Sequence, residues 1–451
     1  MNRLGRLPRN LHMNIRISGA LFSGLFFLTT AVSAQGALTV EEIVVMALEK
    51  SYDVQLSRNL VAASNTDAKN ARGLFLPDVI LNGTRSNSFQ KTHSELPDGR
   101  VNDTKPEATN TQYGAQLNWV LFDGLKMFAT YKQLQTVAGV NETLLKNQMA
   151  NTMASVIGNY FSIVAQKQQL KAINEQISVS EERIKLAERK LQVGSGIKTE
   201  LLQAKLDQNA FKTSALQQEA QIIQTKANLN TISGNQLPNE FEVADTIILN
   251  LGLTMEEIME GVESTNPTLI AARGNIEVAK YNMNARRGDR FPVISLTSGY
   301  SNNSQFFTVP PSALTAKSTE NRNISFGVTG SWALLNNLIV TNALQLARIN
   351  LDRTKIFYEQ QKAIAFNGVR IAYANYDNAR KTLVIEEENI LFARENVMIV
   401  LESFKRGIAT FIEVRTAQQS MVDAYNRLTT ARYNAKVSET ELLRLKGALL
   451  R

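Results

Sequence analysis

Asn323-Ile324-Ser325-Phe326-Gly327-Val328-Thr329-Gly330-Ser331-Trp332-Ala333-Leu334 decides the fold class. Every second residue from Ile324 to Leu334 is apolar, aromatic or glycine, and small or polar residues fill the positions between, the period of a β-strand with two unlike faces. Tyr113, Ala115, Leu117, Trp119 and Leu121 set up the same alternation earlier in the chain, against Gly114, Gln116, Asn118 and Val120. Residues 79–86 and 293–300 read as hairpin partners, reached through polar connections at 91–110 and 305–321. Strands of about ten residues with one apolar and one polar face suit a transmembrane barrel with a wet lumen. A soluble two-sheet sandwich is the alternative.

The two hairpins belong to a duplication. Leu38-Thr39-Val40-Glu41-Glu42 recurs as Leu253-Thr254-Met255-Glu256-Glu257, and Asn70-Ala71-Arg72 before Pro77 recurs as Asn284-Ala285-Arg286 before Pro292. Trp119 matches Trp332, Gly194 matches Gly407, Glu200 matches Glu413, Ala204 matches Ala417 and Gly234 matches Gly447. The spacing shortens slightly between Pro77 and Trp119, inside a polar stretch where a loop absorbs length. Both tryptophans of the chain fall in register, which unrelated helical segments would not give.

Proline is absent between Pro106 and Pro238 and again after Pro311, so each repeat has room for very long helices. Apolar residues there recur in steps of three and four: Met149, Met153, Val156, Tyr160 and Ile163 in one copy, Val369, Tyr373, Tyr376, Leu383 and Ile390 in the other. That is a coiled-coil seam, and its many alanines allow close helix approach. A helix over 123–193 is about 105 Å long, and one over 336–406 matches it. Shorter helices are expected over 39–74, 196–233, 254–290 and 408–446, with two of them stacked end to end beside each long one. Gly194, Gly196 and Gly407 then mark hairpin tips, where glycine supplies the left-handed residue that ends a helix. The expected organisation is a first repeat over 35–233 (β-hairpin about 79–122), a linker at 234–252 and a second repeat over 253–451 (β-hairpin about 293–335).

Four strands per chain cannot close a membrane barrel, and open edges are not tolerated in hydrocarbon, so several chains must contribute; three would supply twelve strands. Composition narrows the function. With no cysteine and two histidines, His12 and His93, thiolate and histidine metal clusters and the common catalytic triads are excluded, as is a lipidated N-terminal cysteine. Charged residues are 20% and hydrophobic ones 44%, too polar for a helical membrane bundle and too apolar for disorder. Of the net +8, half comes from Arg3, Arg6, Arg9 and Arg16, with no acid before residue 34. The remainder is interleaved and gives no nucleic-acid footprint. Those arginines, the apolar run 17–32 and Val32-Ser33-Ala34 read as a cleavable export signal over 1–34.

In this order and spacing, the duplicated Leu-Thr-x-x-Glu, the Ala-Arg…Pro before each hairpin, Trp119-Val-Leu-Phe-Asp-Gly124, and the tip stretches from Gly194 to Ala204 and from Gly407 to Ala417 resemble the outer-membrane efflux protein family, the TolC-like channels of type I secretion and multidrug efflux. The resemblance covers nearly the whole mature chain. It implies a mixed α and β membrane protein: a homotrimer with a twelve-stranded transmembrane β-barrel continuous with a long periplasmic α-helical barrel. It also implies outer-membrane lipid around the barrel, and a periplasmic adaptor and an inner-membrane transporter of the ABC or RND type as partners. No cofactor, metal or enzymatic activity is expected, since nothing here resembles a nucleotide-binding loop or a proton relay.

The resemblance places the periplasmic entrance at the helix tips. Thr199, Glu200 and Glu413 match polar or acidic tip positions, while Ala409, Phe404 and Thr416 stand where relatives carry an arginine, a tyrosine and an acid. Glu413 with Glu200 would ring the entrance with negative charge. The alternative for Glu413 is a glutamate favoured by a helix N-terminus. Arg406 and Arg415 are candidates for a gate network, against a plain surface role. Gly194, Gly196 and Gly407 mark the adaptor docking end. Trp119 and Trp332 are assigned to the membrane interface, against core packing. A soluble periplasmic coiled-coil adaptor is the competing function.

Overall fold

The computed structural model describes residues 38–450 apart from 239, 251, 313 and 336, so the expected export signal lies outside the described residues. Each repeat opens on the duplicated motif, whose purpose is local. In α1 (Val40–Lys50) the Thr39 hydroxyl accepts from the Glu42 N–H and the Glu42 carboxylate accepts from the Thr39 N–H. In α5 (Met255–Met259) Thr254 and Glu257 make the same capping box. The single helix expected over 39–74 is broken at Ser51 into α1 and α2 (Tyr52–Asn70). The one expected over 254–290 is cut into α5, α6 (Val262–Thr265) and α7 (Pro267–Gly288) by Gly261 at φ +81° and by Asn266, which caps α7 at its N1 proline.

These breaks fit the helices that end against them. α3 (Lys126–Gln192) runs into α4 (Lys198–Ile232), and α8 (Ile339–Lys405) into α9 (Phe411–Lys446). α4 ends on Gly234 at φ +75°, where an added Cβ would lie 2.2 Å from the Lys50 carbonyl oxygen. α9 ends on Gly447 at φ +73°, 2.4 Å by the same measure from the Thr265 carbonyl. The Asn266 amide donates to the Leu445 carbonyl at 2.9 Å and the Thr265 hydroxyl to that of Lys446 at 2.5 Å, so the N-cap of α7 also caps α9. Thus α4 abuts the α1–α2 junction and α9 abuts the start of α7, while α3 and α8 are unbroken at 67 residues, about 100 Å, each. α3 packs against α2, α7, α4 and α9; α8 packs against α7 and α9. That leaves one flank of α8, and the far flank of α2 and α4, without a packed helical neighbour among the described residues.

Two tyrosines hold the linkers, Tyr160 on α3 and, about one turn beyond the equivalent position on α8, Tyr376. Tyr160 donates to the Leu38 carbonyl and accepts from the Ala244 N–H; Tyr376 donates to the Asn250 carbonyl and accepts from the Leu253 N–H. Burial pushes both phenols up from their ordinary pKa.

The sheet is antiparallel in the order β1 (Asp78–Phe89), β4 (Glu107–Phe122), β5 (Val293–Val309), β6 (Ser318–Ser331), so the hairpins of the two repeats join through β4 and β5. The connection at 91–110, read as loop, instead holds a ribbon of β2 (Thr92–Glu95) and β3 (Val101–Thr104) around a turn at Gly99. Cross-strand rows separate the faces. Val79, Leu117, Ser298 and Phe326 form one row, and Leu81, Ala115, Tyr300 and Ile324 the next, on the apolar side. Ile80, Gln116, Gly299 and Ser325 lie between them on the other side. The apolar side chains of β6 are exposed, as are the outer edges of β1 and β6 within the chain. Each strand enters its long helix through two left-handed residues, Gly124-Leu125 and Asn337-Leu338. Gly124 is required beyond its φ, because a Cβ there would meet the Gly288 carbonyl oxygen at 2.2 Å.

Candidate functional site at the helix tips

Two hairpin turns end the helical region. In the first, the Gly194 N–H bonds the Leu191 carbonyl, and the N–H groups of Ser195 and Gly196 both bond that of Lys190. Gly194 is needed for its φ of +75°, with open space around it. Gly196, expected to serve in the same way, serves differently: its φ is ordinary, and a Cβ would lie 2.8 Å from the Leu191 nitrogen. In the second turn the N–H groups of Ile408 and Ala409 return to the Ser403 carbonyl around Gly407 at φ +78°. Val193, Ile197, Ile408 and Ile412 stand exposed at these turns.

Glu413 is engaged locally. Its carboxylate accepts from the Thr410 N–H at 2.6 Å while the Thr410 hydroxyl accepts from the Glu413 N–H, a third capping box, and its side chain stays at the surface. Glu200 is half-buried in the first turn of α4 beside exposed Thr199. Arg406 is the exposed C-cap residue of α8. Close by, Lys405 bonds Glu402 at 2.8 Å and holds its carboxyl below the ordinary range. Phe404, at the position where relatives carry a tyrosine, is buried with Phe411, Val414 and Ala204, which joins the two hairpins through an apolar knot. Lys190 lies 3.9 Å from the centre of the Phe404 ring.

Arg415 sits 3.4 Å from Asp207 of α4, and there it meets a group that the sequence did not disclose. Arg183 of α3 is 1% exposed. Its guanidinium donates to Asp207 and, at 2.5 Å, to Gln418 of α9, and lies 4.5 Å from the centre of the Phe411 ring. Gln176, Ser180, Arg183 and Gln418 carry buried polar atoms without a partner. Gln176, Ser180 and Arg183 recur at helical spacing, a pattern that reads as a solvated stripe until α4 and α9 pack over this part of α3. The signal was the polar column itself, facing Gln418 next to seam residue Ala417.

At the opposite end, both tryptophans close the strand–helix junction. The Trp119 indole donates to the Phe75 carbonyl and the Trp332 indole to the Arg290 carbonyl, at 2.9 and 3.1 Å, equivalent places in the two repeats. Trp119 is 37% and Trp332 58% exposed, so neither is a core residue.

Unpaired strand edges, a two-faced sheet and long helical hairpins in duplicate are the geometry of an outer-membrane duct. The sequence profile of the outer membrane efflux proteins matches residues 43–235 and 260–448, one stretch in each repeat. The chain belongs to that family. Outer membrane efflux protein BepC of Brucella suis is 22% identical over 429 residues, 93% of this chain and 88% of that protein. Alkaline protease secretion protein AprF of Pseudomonas aeruginosa is 20% identical over 417 residues, 90% of this chain and 83% of that one. The crystal structure of the CmeC outer membrane channel of Campylobacter jejuni superposes with a TM-score of 0.74 at 16% identity, covering 96% of this chain and 94% of that one. The efflux protein therefore acts as an exit duct of the outer membrane, and the soluble-adaptor reading is set aside. No helix among the described residues is long and apolar enough to cross a membrane.

Proposed function

We propose that three copies of this chain close into one duct that passively carries drugs, other small molecules or secreted protein outward from an inner-membrane pump. The observation that carries the reading is the pair of unlike flanks. β1 and β6 each leave a full strand edge unpaired, which hydrocarbon does not tolerate. On the α8 flank, Ile356, Ile364, Ile371, Ile385, Phe392 and Ile399 form an exposed stripe at close to heptad spacing. The other flank exposes Leu56 and Leu60 on α2, and Leu202, Leu216 and Ile223 on α4. Unlike flanks pair head to tail and close into a ring. Four strands from each of three copies give twelve, in the range of single-lumen membrane barrels.

Trp119 and Trp332 then anchor the periplasmic rim of the barrel, and the tips form the entrance, where Glu200 and Glu413 of three copies meet and Thr199, Arg406 and Arg415 border the opening. The exposed apolar residues around Gly194, Gly196 and Gly407 suit docking by a periplasmic adaptor that links an ABC or RND transporter. The domain limits read from the sequence, with a signal removed after residue 34, belong to the same proposal. Native mass spectrometry of detergent-extracted protein tests it: a trimer is expected, and Ile371→Glu with Ile385→Glu should release monomers. A wild-type protein that stays monomeric in detergent would refute closure by copies.

A further inference from the structure

The two faces of the sheet differ in more than hydropathy. Its charged side chains are Asp78, Arg85, Glu107, Glu320 and Arg322. Arg85, Glu320 and Arg322 follow the alternation of the apolar face and lie just beyond its last apolar row, Leu81–Ala115–Tyr300–Ile324. There Arg322 and Asn302 both donate to Glu320, and Asn302 also donates to the Tyr113 hydroxyl. Glu107 begins β4 at a register shift, and Asp78 begins β1 at the helical end, on the polar face. Asp78, beside Asn118, is the charged residue of the polar face at that end, and from the next row, Ile80–Gln116, to the Thr84 row the face carries no ionisable side chain. Successive rows there hold Gln116 with Ser325, Ser301 with Asn323, and Gln112 with Asn303.

In a ring of copies with the apolar face in lipid, each of these rows is repeated around the lumen. Amides and hydroxyls offer donors and acceptors to either sign and set up no net field. Pores that select ions by charge do so with rings of charged side chains, and low-dielectric walls amplify even one charge per subunit. We propose that the outer sleeve of this duct is blind to charge: anionic, cationic and neutral polar cargo pass it alike, and selection by charge is confined to the helical end. This rests on the barrel reading above and adds to it the property of the lumen wall.

The test uses full-length protein in planar bilayers, with a trivalent cation or a trivalent anion added from the loop side. Wild-type current is unaffected by either ion at millimolar concentration. Asn323→Asp lowers the concentration of trivalent cation needed for half block by about tenfold or more, leaving the anion inert, and Asn323→Lys does the converse. Ile324→Asp, one residue along on the lipid face, produces no such block in whatever channels form. Wild-type block from the loop side at the concentration that blocks Asn323→Asp would overturn the proposal, as would Asn323 variants that respond like wild type. If purified wild-type protein forms no channels at all, the duct reading itself fails, an outcome distinct from either.

Discussion

Replacing Arg183 by methionine removes a fully buried cation that ties the two helical hairpins together near the tips. The guanidinium is lost from Asp207, Gln418 and the Phe411 ring at once. Breaking a buried ion pair from one side costs about 3–5 kcal/mol, because the remaining charge stays behind without its partner. Asp207 keeps Arg415 at 3.4 Å, and the Arg415 side chain is mostly exposed, so the low end applies. About 3 kcal/mol raises the open fraction of the tip region roughly 150-fold. Hydrogen exchange on the detergent-purified protein reads this directly. Amides of α4 and α9 flanking Asp207 and Gln418 should lose about two decades of protection while those beside Tyr160 and Tyr376 keep theirs. Adding Asp207→Asn to Arg183→Met should restore most of the protection, since replacing both partners of a buried pair is often close to neutral. Protection at α4 and α9 within threefold of wild type in the single variant would show that the buried pair contributes nothing to joining the hairpins.

Glu413 separates cap from charge: Glu413→Gln keeps the capping box and lowers cation preference in bilayers, whereas Glu413→Ala also costs about 1 kcal/mol of helix stability in thermal melts. An unchanged reversal potential in Glu413→Gln would assign the residue to the cap alone. Gly234→Ala and Gly447→Ala each force a Cβ onto a backbone carbonyl and should abolish recovery of folded protein from membranes, while Gly407→Ala meets open space and costs only about 1 kcal/mol for its left-handed φ. Equal yields for all three would refute the end-to-end helix joints. Lys167, bonded to Glu242, holds the Glu242 carboxyl below its ordinary range. A depressed carboxylate stabilises the fold above its unfolded pKa and loses that contribution as pH falls through the folded value. The melting difference between wild type and Glu242→Gln should therefore be present at neutral pH and vanish in acid below the unfolded carboxylate range; a difference that persists there would contradict the pairing.

The repeat, the strand alternation and the positions of the two long helices were legible because each leaves a period or a constant spacing in the chain. The Leu-Thr-x-x-Glu motif was visible as a duplication, and its role as a capping box needed only the chemistry of Thr39 and Glu42. Breaks inside the short helices were not legible. Ser51 carries no strong stop signal, and its role depends on Gly234 arriving against Lys50 from far along the chain. Pro267 was such a signal, at N1 of α7. The β2–β3 ribbon was missed because its strands are polar on both faces, with no core to impose an alternation. Arg183 was missed for a related reason: a long polar side chain on a helix reads as solvated, and only the packing of α4 and α9 over α3 turns that face inward. Glu413 could be read either way in the sequence, and the structure shows the cap.

Two of the four columns in the chain are single unbroken helices, and two are built from halves that touch end to end. Under a pull along the duct axis, α3 and α8 carry tension through a continuous hydrogen-bond ladder. At the Gly234 and Gly447 joints tension crosses by contact and a few caps. A chain held at its sheet and pulled at its helix tips would part first at those seams, near the middle of its length, leaving the strand–helix junctions and the hairpin turns intact.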